Sequence, residues 1–242
     1  MLAGFLSDVS IISVPGCFLQ MFFFIQLSIT VTAILAAMGY DRYVAICHPL
    51  HYTSIMTRRV QLLLIVGAWG FGIFCPLPST IIAIQRPYCG SNVVKHGWCD
   101  MSSVRQLACG HILLDNIVSL CFATLSLLIP GLLILTSYIL IGISILRMGV
   151  SQRLKAFRTC AAHLTVVSIS FGSAAFVYIS YRVGNFSTEF NQAAVLYAAL
   201  TPFLNPVIYS LRNKELQESM RRTLVRFRSA TVSAKKNVNT VS

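Results

Sequence analysis

Two adjacent ionised side chains, Asp41 and Arg42, close a run of 32 residues, 9–40, that carries no charge. Charge beside lipid is costly unless it is paired or hydrated, so taken alone this pair reads as an interfacial anchor. Eight cysteines are the second chemical resource. Cys17 lies near the start of the same run, and Cys89, Cys99 and Cys109 follow at intervals of ten. In an oxidising compartment these four read as two disulfides, with three pairings open. Zinc held by Cys89, Cys99 and Cys109 with His96 or His111 is the competing chemistry, but no pair has the short spacing of a compact site. Cys47, Cys75, Cys121 and Cys160 fall inside or at the ends of apolar runs and read as free thiols. No P-loop, H-E-x-x-H or G-x-S-x-G string occurs. The reading is therefore of a protein that is not an enzyme and takes neither metal nor cofactor.

Composition shows what must position these groups. Of 242 residues, 56% are hydrophobic and 11% charged, where a soluble domain carries about 25% charged residues. Five charge-free windows are long enough to cross a bilayer: 9–40, 60–85, 116–146, 159–181 and 190–211. They predict spans at about 14–46, 60–84, 114–146, 157–181 and 190–211, helical because lipid leaves no other partner for the backbone. The fold class is an all-α membrane protein. Pro76, Pro78, Pro130, Pro202 and Pro206 lie within these windows and are expected to kink their helices.

The net charge of +12 is unevenly placed. Arg42, Arg58, Arg59, Arg147, Arg153, Lys155, Arg158 and the basic residues from Arg212 to Lys236 fall on one side of the predicted spans. Only Arg86, Lys95, Arg105 and Arg182 fall on the other. This sidedness predicts an extracellular N-terminus and a cytoplasmic C-terminus, and it accounts for the positive charge without nucleic acid. Residues 1–7 lack the basic start of a cleavable signal, so the first span is expected to direct insertion, or an upstream portion to be missing.

The string around the ion pair, MGYDRYVAICHPLHY at 38–52, resembles the "MAYDRYVAICHPLxY" signature of olfactory receptors, a branch of the rhodopsin-like G protein-coupled receptors. Three further strings are similar to family patterns: Ser137-Tyr138, KAFRTCAAH at 155–163 and PFLNPVIYSLRN at 202–213. The likeness runs from about Met1 to Glu218. It implies a rhodopsin-like helical bundle whose five spans correspond to family helices three to seven, with helices one and two absent from an incomplete receptor.

The resemblance also implies pairings and roles. Cys17 would pair with Cys99 and Cys89 with Cys109. Asp41 would restrain Arg42, which with Tyr43 meets the G protein, and Arg42 would move toward Tyr138 on activation. His163 would help to hold the resting state, and Asn205, Pro206 and Tyr209 would form a hinge in the last helix. The partners implied are a small volatile odorant, a heterotrimeric stimulatory G protein acting through cyclic AMP, and membrane lipid. Three departures stand out: Gly39 for the usual Ala, Arg158 for Ser, and Ser170-Phe171-Gly172 for Phe-Tyr-Gly.

If the bundle assembles as in the family, a ligand is expected in its outer half, walled by Ile25, Ser28, Ile29, Phe122, Ser126, Phe171, Ala174, Ala175, Tyr178 and Ala198. Such walls are mostly apolar, with the hydroxyls of Ser28, Ser126 and Tyr178 as polar handles. They hold no acid or base, which predicts a neutral volatile in preference to a charged one. Leu216, Met220, Leu224 and Phe227 form a stripe opposite Arg221, Arg222, Arg226 and Arg228, the pattern of an interfacial helix over about 213–227. Residues 229–242 are polar and read as a disordered cytoplasmic tail. Asn185 begins a glycosylation sequon in a short loop expected to hug the membrane, and so to stay unmodified. Two other readings stand beside the receptor: a non-signalling fragment or pseudogene product, and a small transporter or channel subunit. The charge-free interiors of the windows argue against the last.

Overall fold

The computed structural model describes residues 11–89, 91–94, 98–183, 218–219 and 221–223. Helix α1, Val14–Cys47, starts where the Ser13 side chain accepts a hydrogen bond from the Gly16 amide at 3.2 Å. It stops before Pro49, which opens a 3-10 turn, Pro49–His51, leading into the short α2, Tyr52–Ile55. Helix α3, Arg58–Phe74, is capped by Thr57 and is followed by α4, Leu77–Gln85. A disulfide-bonded loop carries α5, Met101–Arg105, and leads to α6, Leu113–Leu146, and α7, Val150–Val183.

The predicted span at 60–84 is divided between α3 and α4. Pro76 and Pro78 lack the amide protons that would continue the ladder, so the helix breaks at Cys75 and Pro76. Thr80 compensates by turning both its amide and its hydroxyl onto the Pro76 carbonyl, at 3.0 and 2.9 Å. Pro130 by contrast stays inside an unbroken α6, buried among the helices. Among the described residues, Val14–Cys47, Arg58–Gln85 and Leu113–Leu146 are long and apolar enough to cross a membrane. The predicted span at 157–181 falls within α7. That at 190–211 lies outside the described residues, as does most of the predicted 213–227 helix and the whole tail. Within that helix, residues 218–219 and 221–223 are helical, and Arg222 pairs with Glu218 at 2.9 Å.

Helix α1 is the axis of the assembly, packing on α3, α6 and α7. Three apolar layers stack along it. Met21 meets Ala83, Cys99 and Val104; Leu35 and Ala36 meet Ile134 and Val166; Ile46 meets Ile141 and Cys160. Close approach of α3 depends on Gly72, since a Cβ there would collide with the Thr30 hydroxyl. Beside these layers several polar groups turn inward, and many large apolar side chains face outward. Gln26, Thr30, Ser79, Thr80, Ser137 and His163 are buried, while Leu62, Leu63, Val66, Leu132 and Leu133 are exposed, the arrangement that suits lipid.

Candidate functional site

The loop before α6 is folded down onto the bundle. Cys89 and Cys109 close a hairpin, with Cα atoms 5.6 Å apart and Tyr88 bridged to Ala108. Gly110 follows with φ 81°, a conformation natural to glycine, and turns the chain toward α6. Cys99 is bonded to Cys17 across 82 residues of sequence, and its amide donates to Oε1 of Gln20 at 3.1 Å. Asp100 then caps α5, its carboxylate accepting from the amides of Ser102 and Ser103 at 3.0 and 3.3 Å. The loop's root is fixed by a bidentate ion pair in which Arg86 donates through Nε at 2.9 Å, and through Nη2, to the buried carboxylate of Asp115.

Beneath α5 lies a cavity of about 550 Å³ between α1, α4 and α6. Its walls include Ile25, Ser28, Ile29, Phe122 and Ser126, five of the ten expected positions. Phe171 does not line it. That ring packs one layer deeper, against Leu35, Ile134 and Val166, where the missing side chain of Gly131 leaves room for it. Ala174 and Ala175 are also absent from the walls. The side chain of Tyr178, and all of Ala198, lie outside the described residues.

The expectation of a pocket without acid or base needs correction, because Arg105 is part of the wall. Its guanidinium donates to Oδ1 of Asn116 at 2.9 Å and to Oγ of Ser119. Burial lowers its pKa, against the opposing pull of Asp115 and Asp100, from a value high enough that the group stays protonated. Sequence reasoning missed Arg105, Asn116 and Ser119 because none belongs to the matched motifs. Asp100, a good N-cap before a short helical stretch, was the available signal that α5 would form and carry Arg105 inward. The hydroxyls of Ser28 and Ser126 donate to the carbonyls of Phe24 and Ala123 in their own helices, both at 2.8 Å. Toward the cavity they therefore offer lone pairs.

At the opposite end of α1, Asp41 holds two partners. Tyr52 donates to its Oδ1 at 2.7 Å, and Arg42 Nε stands 3.6 Å from its Oδ2. The hydrogen bond to Asp41 raises the Tyr52 pKa, with burial acting in the same direction. Tyr43 meets Nε2 of His48 at 3.3 Å.

Deeper in the bundle, His163 lies 2.9 Å through Nε2 from the Leu35 carbonyl. A carbonyl only accepts, so Nε2 carries the proton and Nδ1 accepts from the Tyr138 hydroxyl at 2.7 Å. Tyr138 is thus tied to α7, and α7 through His163 to α1. Asn205, Pro206 and Tyr209 lie outside the described residues. Among the described residues no cluster of three or more metal-ligating side chains occurs.

Comparison with known proteins gives one family throughout. The family model for olfactory receptors matches residues 1–227. The chain is 39% identical to Olfactory receptor 10J4 of Homo sapiens, over 93% of this chain and 73% of that protein. It is 42% identical to Olfactory receptor 6N1 of Homo sapiens over the same shares, and 41% identical to Olfactory receptor 5G25 of Mus musculus over 92% and 70%. With a membrane-capable helical bundle and a cavity under a stapled loop already in place, these matches show that the chain belongs to the olfactory receptor family, whose members are receptors and not enzymes.

Proposed function

We propose that this protein binds a small volatile ligand in the cavity between α1, α4, α5 and α6 and passes its occupancy to a stimulatory G protein at the Arg42 end. The observation that carries the proposal is the cavity itself, which α5 borders and whose apolar walls include Phe24, Ile25, Ile29, Leu120 and Phe122. A concave, mostly apolar space with a few convergent polar groups suits a ligand of odorant size. The coupling element is α1, which runs from the cavity wall at Ile25 to the ion pair at Asp41 and Arg42 in one unbroken helix. In this reading Asp41 restrains Arg42, and the Tyr138–His163 contact holds α6, α7 and α1 in the resting arrangement. An agonist needs only to bias such a two-state element by a few kcal/mol.

Orientation follows from charge. The basic residues at Arg42, Arg58, Arg59, Arg147, Arg153, Lys155 and Arg158 cluster at the end of the bundle remote from the disulfide-bonded loop. That bias supports a reading with the Arg42 end in the cytoplasm and the loop outside the plasma membrane.

The test is a cyclic-AMP reporter assay in cells expressing the chain, challenged with homologous series of volatile alcohols, esters and acids. Responses to a subset are expected, and Ala123→Phe, which fills the cavity, is expected to abolish them at unchanged surface expression. No response in the unaltered chain, or an undiminished response in the filled variant, contradicts the proposal.

A further inference from the structure

Arg105 is the one charged side chain lining the cavity among the described residues, and the acids around it are already engaged. Both carboxylate oxygens of Asp115 are taken by Arg86, and Asp115 is 3% exposed. The Asp100 carboxylate is committed to two amides as the cap of α5. Arg105 is held instead by neutral acceptors, Oδ1 of Asn116 and Oγ of Ser119. A guanidinium has five N–H donors in a fixed fork, so donors remain after these two bonds. The cation is half-buried, lines the cavity and has no carboxylate hydrogen-bonded to it.

We propose that the cavity selects a small aliphatic carboxylate, its head on Arg105 and its tail among Phe24, Ile25, Ile29, Leu120 and Phe122. This rests on the reading of the cavity as a ligand site. An anion entering an apolar pocket loses hydration and binds only where a positioned counter-charge replaces it. Arg105 supplies that charge with N–H donors to spare, and Asn116 and Ser119 hold its guanidinium in place in advance. Ser28 and Ser126 present lone pairs and cannot make up the loss, so the compensating charge is assigned to Arg105.

The chain itself supplies a readout. The Trp98 ring lies 5.4 Å from Phe24, a wall residue, so with Trp69, the other tryptophan, replaced by Phe, indole fluorescence is expected to report filling of the cavity. The experiment titrates octanoate, 1-octanol and methyl octanoate into the full chain in lipid nanodiscs. Octanoate is expected to bind at least about tenfold more tightly than octanol. Arg105→Gln should weaken octanoate by roughly 10- to 100-fold and leave octanol within about threefold, and Arg105→Lys, which keeps the charge but loses the fork, should fall between. Ala123→Phe should remove all three ligands. Equal affinity for octanoate and octanol, or an equal loss of both in the Arg105 variants, overturns the carboxylate assignment while leaving the cavity as a ligand site. Absence of saturable fluorescence change with any of the three overturns both. Should Arg105→Gln fail to fold, the chain-length-matched acid and alcohol on the unaltered protein, with Arg105→Lys, decide the question.

Discussion

Tyr138 donates its hydroxyl proton to Nδ1 of His163 at 2.7 Å, and the two rings stack with centroids 5.6 Å apart. Through Nε2 the same imidazole reaches the Leu35 carbonyl, so one buried side chain joins α6, α7 and α1. His163 is 1% exposed. A group so enclosed is costly to leave without partners.

Removing the hydroxyl tests that contact. Tyr138→Phe leaves Nδ1 buried without its donor, at a cost of about 1–3 kcal/mol. Thermal unfolding in detergent should show a melting temperature several degrees lower, together with raised ligand-independent cyclic-AMP output. An unchanged melting temperature and unchanged basal output would mean that the contact restrains nothing.

Arg42→Ala should eliminate ligand-evoked signalling while antibody staining of intact cells shows surface expression close to that of the unaltered chain. The side chain is partly exposed and its pair with Asp41 is long, so little stability is at stake. Full signalling by this variant would remove Arg42 from the coupling role.

Two glycines should respond in opposite directions to alanine. At Gly72 a Cβ meets the Thr30 side chain and lies 3.0 Å from the Gln26 carbonyl oxygen, so α3 must move off α1. At Gly39 the nearest atoms, on His163 and Ile134, are 3.6 to 3.8 Å away, which is ordinary contact. Gly39→Ala is therefore expected to stabilise α1 by about 0.5–1 kcal/mol, and Gly72→Ala to destabilise by about 1–3 kcal/mol. Melting curves of the two variants side by side check the sign of each.

The two disulfides should differ in weight. By loop-closure entropy, the Cys17–Cys99 bond, separated by 82 residues, contributes about 4.5 kcal/mol and Cys89–Cys109, separated by 20, about 3 kcal/mol. Cys17→Ser should also release α5 from above the cavity, so ligand-dependent Trp98 fluorescence should disappear along with stability. Cys89→Ser leaves the tie to α1 intact and should preserve more of it. A larger loss of ligand response in Cys89→Ser would reverse this ranking.

What the sequence by itself determined was helicity and family. Charge spacing is enough for the first, because lipid favours long uncharged helices, and the motif around Asp41 and Arg42 carries the second. The prolines announced a disturbance but not its size, since α3 and α4 part at Pro76 while Pro130 stays within an unbroken α6. The contents of the cavity wall were decided only by tertiary structure. Phe171 sits in the layer below because Gly131 admits its ring there, a relation between two helices that no local pattern records. Arg105 enters the wall because a disulfide 82 residues in span and a buried Arg86–Asp115 pair fold its loop back over the bundle. Local physics chooses helix or loop residue by residue. Which side chains face one another across a cavity depends on contacts between residues far apart in the chain, and those arise only when the helices pack.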